Sequence, residues 1–249
     1  GVLVVAVGQV TRLLPWLRLE PKHYRARIVL GLSTSTEDAS GTPLEQADAS
    51  QVDFETLRRA LPRFVGEISQ IPPMVSALHH QGRRLHELAR AGIVVERPPR
   101  TVTIHAIDAS DFLAGARPEC TLDVVCGGGT YIRTLCADLG AAVGVPAHMG
   151  SLRRVRVGDF DLGGAIALEH LTGSDLTPME AVLGHLPTVS LGPEAMARVD
   201  HGNDVDDPRG ATFEEDAVVL LEAGRLRALA RASAGRLQPF RVFPPEATA

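Results

Sequence analysis

The stretch CGGGTYIRTLCADLGAAVG, residues 126–144, decides how the chain is built. Ile132, Leu135, Cys136, Leu139 and Val143 recur at three- and four-residue spacing, which places them on one stripe of a helix over residues 131–143. Such a helix must bury its stripe against another layer. Residues 120–126 alternate in the manner of a strand, so strand, turn and helix follow one another here. The glycines at 127, 128 and 129 make the turn and permit close backbone approach. No Lys-Ser or Lys-Thr pair follows them, so they are not a phosphate-cradling P-loop. Arg133 and Thr134 sit beside the apolar stripe rather than in its centre.

Working outward, residues 101–107 read as a second strand and Lys22 to Leu30 as a third. In the latter, Tyr24, Ala26, Ile28 and Leu30 share one face, and His23, Arg25 and Arg27 the other. Residues 2–7 are apolar and read as a buried strand. Residues 31–50, rich in Gly, Ser, Thr and Asp, read as a long polar loop. Asp53 is placed to cap a short helix from Phe54 to about Phe64, with Pro62 interrupting its later part. Pro72 and Pro73 force extended backbone before a helical pattern through Leu85, Leu88 and Ala89 that Gly92 ends. Turn-rich sequence over residues 171–190 marks a boundary, with alternating segments beyond it. The expected architecture is α+β: a body with a mixed central sheet and flanking helices over residues 1–178, and a small, mostly β domain over 179–249.

Composition narrows the function classes. The 249 residues are 45% hydrophobic and 22% charged, with 24 Gly and 17 Pro, an ordinary globular mixture. Three cysteines, at 120, 126 and 136, are too few and too spread for a disulfide scaffold, and no Cys/His spacing offers zinc four ligands. A reducing, cytoplasmic setting is expected. The opening apolar run is less than half of the ~20 residues a membrane helix needs, and no membrane partner is expected. The net charge of −5 argues mildly against a polyanionic partner, but the acidity is uneven. Residues 179–249 hold 7 basic against 11 acidic residues, and residues 1–178 hold 18 against 19. Local positive potential is what a nucleic acid requires, and Arg153, Arg154 and Arg156 form such a cluster.

Residue by residue, the chemistry stays open. Tyr24 is either a surface on which a base stacks or a core aromatic. Arg133 either holds a carboxylate or phosphate at the mouth of a site or makes a surface ion pair. Asp38 is a turn former or a charge near a ligand. His79, His80 and His86 cannot share one helical face, and no acidic ligand completes them as a metal site.

The ordered motifs GVLVVAVGQVTRL, KHYRARIVLG, STSTEDASG, QIPPMVSALHHQGRRLHELARAG, CGGGTYIRTLCADLG and HMGSLRRVRVGDF together resemble the bacterial TruB family of tRNA pseudouridine synthases over about residues 1–178. The tail resembles a small PUA-like RNA-binding domain. The resemblance implies isomerisation of the T-arm loop uridine, position 55 of tRNA, to pseudouridine without cofactor or metal. The uridine would be flipped out of its loop into a cleft. It further implies that Tyr24 stacks on the uracil, that Arg133 pairs with and orients a catalytic aspartate, and that Leu152 lines the pocket. Lys22, Arg153 and Arg154 then face the RNA. Asp38 matches an acidic residue of a family loop rather than the nucleophile. Gly128, His79 and His86 stand where the family often has Lys, Lys and Tyr.

The family's nucleophilic aspartate belongs to a GTLDP motif, and by the resemblance it would lie five residues before Gly1. The chain is therefore expected to lack the N-terminal catalytic segment, roughly 40 or more residues by the resemblance, and to be inactive without it. The alternative expectation is a non-catalytic RNA-binding or tRNA-folding protein. A monomer with no obligate protein partner is expected in either case.

Overall fold

A computed structural model describes residues 1–76, 79–80, 82–93 and 95–243. The chain divides into two compact units. The first comprises Gly1–Val4 and Leu19–Ala165, the second Val5–Arg18 and Ile166–Ala249. The change of unit after Ala165 precedes the turn-rich stretch from which a boundary at 178 was expected.

The first unit is built on strands β1 (Lys22–Leu30), β2 (Leu32–Thr34), β3 (Pro43–Gln46), β4 (Gly66–Gln70), β5 (His79–His80), β6 (Arg83–Arg84), β7 (Arg100–Leu113), β8 (Glu119–Cys126), β9 (Ala147–Val157) and β10 (Phe160–Asp161). Helices α1 (Phe54–Ala60), α2 (Leu85–Arg90) and α3 (Ile132–Ala142) complete it. Six strands form one sheet in the order β10-β9-β1-β8-β7-β4, with antiparallel neighbours throughout. The apolar stripe does what its spacing requires: Ile132, Leu135, Cys136 and Leu139 are buried in one core with Ala26, Ile28, Leu122, Val124, Ala147 and Met149. This is the expected α+β body, and β1 alternates as read, with Ala26, Ile28 and Leu30 buried and Arg25 exposed. At α1, the Asp53 carboxylate accepts the Thr56 N–H at 2.7 Å, the cap the sequence announced. The helix stops at Ala60, and Leu61–Phe64 tighten into a 3-10 turn because Pro62 has no N–H to continue it.

Two expectations are corrected. Residues 2–7 form no strand: Leu3, Val5 and Val7 are exposed, and of Val2, Val4 and Ala6 only Val2 is buried. Val2 donates its N–H to Arg154 O at 2.8 Å, while the next residues feed a 3-10 helix, Gly8–Trp16, of the second unit that buries Leu13 completely. An apolar run specifies burial only where a partner surface exists, and sequence does not display the partner. The polar stretch over 31–50 is not structureless either, because β2 and β3 pair as a hairpin within it.

The second unit carries α4 (Met179–Val182), β11 (Thr188–Ser190), α5 (Pro193–Asp200), β12 (Val205–Asp206), β13 (Glu215–Glu222), β14 (Arg225–Ser233) and β15 (Arg236–Val242). Its sheet runs β11-β13-β14-β15-β12, with β11 parallel to β13. One face buries Val189, Met196, Val199, Val218, Leu220 and Ala230, the other Leu13, Leu183, Val219, Leu229 and Phe243. The small β-rich C-terminal region is thus present. Among the described residues no helix is long and apolar enough to cross a membrane.

Candidate active site

Arg133 lies in the first turn of α3, where the helix dipole disfavours a cation, so its position needs compensating acceptors. It has three. Nη1 donates to Asp38 Oδ2 at 3.2 Å and to Thr36 O at 3.3 Å, and Nη2 donates to Val75 O at 2.6 Å. The arginine fork suits such convergent acceptors in a way a single ammonium does not. Both charged side chains are about four-fifths shielded from solvent.

Asp38 is held as tightly as it holds. Its Oδ1 accepts from Thr36 Oγ1 at 2.6 Å, Ser40 Oγ at 2.5 Å and Ser40 N–H at 3.0 Å. Burial pushes this carboxyl up, but the Ser40 and Thr36 hydrogen bonds together with the Arg133 guanidinium outweigh it, and it stays below the usual carboxylate range. An oxygen saturated by three donors is an anchor, not a nucleophile. The carboxylate that Arg133 meets here is therefore a positioning one.

The loop bearing Asp38 is latched to β9, since Ala39 N–H donates to Met149 O and Met149 N–H to Glu37 O, both at 3.0 Å. Glu37 adopts a left-handed backbone with φ of 60°, which turns its side chain to accept from Thr134 Oγ1 at 2.9 Å. Burial raises its pKa, more than the Thr134 hydrogen bond and the Arg133 charge lower it. A carboxyl raised in the folded state adds stability below its ordinary pKa and loses it as pH rises through the folded value. Glu37→Gln keeps an acceptor for Thr134. It should therefore melt above the wild type at pH 7, with the two converging below about pH 4, where both side chains are neutral. Thermal melts across pH check this, and a variant less stable at pH 7 would contradict it.

The other candidates sit on β1 and β9. Tyr24 opposes Arg154 and Ala26 opposes Leu152, so these four share a face, as directly opposed residues of an antiparallel pair do. It is the face toward which α3 packs. Tyr24 lies partly buried at the edge of that core, and Leu152 is 44% exposed. Arg153 opposes Arg25 on the other face, where Arg25 is engaged by Asp123 at 3.1 Å. Strand alternation thus divides the basic cluster that sequence presented as one. Arg154 spends Nε on Val2 O at 2.8 Å. Lys22 Nζ lies by the glycine turn, 3.9 Å from where a Cβ on Gly128 would stand. Gly128 N–H itself donates to Glu20 Oε1 at 2.8 Å.

The side chains of His79, His80 and His86 lie outside what is described. Among the described residues no three His, Cys, Asp or Glu side chains gather into a metal-holding group. Sequence reasoning missed Glu37, Val75 and the strand β9. The T-x-D-x-S spacing over residues 36–40 was the available signal for an anchored carboxylate.

The model of the TruB family pseudouridylate synthase N-terminal domain matches residues 1–132, and that of the tRNA pseudouridylate synthase B C-terminal domain matches residues 133–183. The chain belongs to the TruB family. It is 47% identical over 204 residues to tRNA pseudouridine synthase B of Symbiobacterium thermophilum, covering 81% of this chain and 68% of that one. To the Moorella thermoacetica protein of the same name it is 43% identical over 245 residues, covering 93% and 80%. The solved structure of a Cbf5-Nop10-Gar1 complex is similar to it with a TM-score of 0.61 at 25% identity, covering 96% of this chain and 71% of that one.

The family match corrects the expectation that the chain lacks the N-terminal catalytic region. Residues 1–132 match the model of that domain, and they carry Tyr24, Asp38 and four of the six strands of the sheet, β1, β4, β7 and β8.

Proposed function

We propose that this protein isomerises uridine to pseudouridine in tRNA, and that its target is the T-arm loop uridine at position 55. The observation that carries the reading is the family membership of a chain whose Arg133 is fixed by three acceptors on a helix that shares its core with Tyr24. The chemistry is an isomerisation. The bond from uracil N1 to C1′ breaks, the base turns, C5 bonds to C1′, and the proton leaving C5 is balanced by one gained at N1. Atoms and electrons balance without a co-reactant.

In this reading Tyr24 supplies a ring for the flipped uracil to stack on, and Leu152 supplies an apolar wall that keeps water from the detached base. Arg133 places fixed positive charge where charge develops as the glycosidic bond breaks, and Asp38 fixes the arginine. Lys22, Arg153 and Arg154 contact the tRNA backbone, an interaction that weakens with salt. The test is to incubate the purified protein with unmodified tRNA transcript and map pseudouridine by a carbodiimide stop assay. A stop at position 55 is expected, and its loss is expected when that uridine is replaced. Tight tRNA binding with no stop at any uridine would favour the non-catalytic RNA-binding reading instead.

A further inference from the structure

Gln70 is the last residue of β4, and its side chain is 1% exposed. Its amide pairs with the main chain of Tyr131 in both directions: Tyr131 N–H donates to Gln70 Oε1 at 3.0 Å, and Gln70 Nε2 donates to Tyr131 O at 3.3 Å. The side chain thereby imitates one residue of an antiparallel strand. Tyr131 precedes α3 with extended backbone and no side-chain cap. Its carbonyl also accepts the Leu135 N–H at 3.0 Å, so the same oxygen that begins the helix is the one Gln70 holds.

The chain leaving Gln70 comes back to the same place. Past Pro72 and Pro73, whose rings restrict the backbone, Val75 O accepts from Arg133 Nη2 at 2.6 Å. Arg97 Nη1 holds Pro72 O at 2.9 Å on the way. Residues 70–75 thus form a strap tied to α3 at both ends, to Tyr131 at one and to Arg133 at the other. Gln70 is the end anchored in the sheet, opposite Arg100 of β7. A buried amide is costly unless both its donor and acceptor are used, and here both are used on the two-residue approach to Arg133.

We propose that Gln70 is a positioning residue for pseudouridine formation, acting through Tyr131 and the first turn of α3 to aim the Arg133 guanidinium. The inference rests on the functional reading above and adds a residue to it. A small misplacement of an aimed group costs rate rather than affinity, up to about a hundredfold for about 1 Å.

The experiment measures kcat and KM for unmodified tRNA in wild type, Gln70→Met, Arg133→Lys and the double variant. Gln70→Met should lower kcat about tenfold or more with KM within about twofold of wild type. In the Arg133→Lys background, where the fork that Gln70 aims is gone, the same change should cost less than about twofold. A residue that merely supports the fold would cost the same in both backgrounds, and that outcome overturns the proposal, as does an unchanged kcat. Should Gln70→Met not fold, Gln70→Glu carries the same comparison, because it keeps the length and the acceptor for Tyr131 N–H. A wild type that makes no pseudouridine sinks the functional reading and this inference with it. An active wild type with indifferent Gln70 variants sinks only the inference.

Discussion

Replacing Arg133 with alanine should lower kcat for pseudouridine formation by roughly 10²–10³-fold, the range found when one preorganised electrostatic donor is taken from an active site. KM for tRNA should stay within about twofold, because the guanidinium is engaged by Asp38, Thr36 and Val75 rather than displayed to a distant phosphate. The fold should survive. Asp38 keeps Thr36 and Ser40 as donors, so the carboxylate left behind is not stranded. Arg133→Lys should recover little, since one ammonium cannot reach a carboxylate and two divergent carbonyls at once. Steady-state kinetics on unmodified transcript, with filter binding in parallel, separates the possibilities. If binding falls as far as rate, Arg133 is an ordinary RNA contact and its assigned role is wrong.

What made this site readable in sequence was periodicity and order. The stripe through Ile132, Leu135, Cys136 and Leu139 announced both α3 and the face it buries, and alternation over Lys22–Leu30 announced β1 to the residue. Local patterns of this kind are set by neighbours in the chain, so the chain displays them. Arg133 and Tyr24 stood out only because ordered motifs surrounded them.

The remainder is non-local. Nothing in the polar stretch over 31–50 says that its carbonyls and N–H groups will latch onto Met149, more than a hundred residues away. Nor does it say that Glu37 will take a left-handed backbone to reach Thr134. Gln70 lies before two prolines in a segment read as extended, and its partner is a main-chain pair 61 residues on. The residues 2–7 show the opposite failure, an apolar pattern without the partner that burial would need. The basic cluster shows a further non-local effect. Counting charges placed Arg153 and Arg154 together, whereas the pleat of β9 sends them to opposite faces, one beside Arg25 and the other beside Tyr24.

Gly140 sets how closely α3 approaches β9, and Gly140→Ala puts two effects in direct competition. In a helix interior the exchange ordinarily gains about 1 kcal/mol, because alanine is the better helix former. Here the new methyl would stand 2.8 Å from Val145 O and 3.1 Å from Ala147 N, closer still to the Ala147 Cβ, with Val145 and Ala147 buried in the same core. Backbone atoms cannot rotate aside as a flexible side chain can. The helix must move off the sheet, and forced overpacking of that kind costs typically about 1–3 kcal/mol, at the upper end when main chain is what must yield. The clash should therefore win. Denaturant unfolding of the variant is expected to show a net loss of about 2 kcal/mol, with a larger loss for Gly140→Leu. Activity should fall further than the folded fraction does, because the displaced helix carries Arg133 at its other end while Asp38 stays latched to β9 through Met149. A Gly140→Ala protein more stable than wild type would mean that the helix–sheet spacing is not set by this glycine.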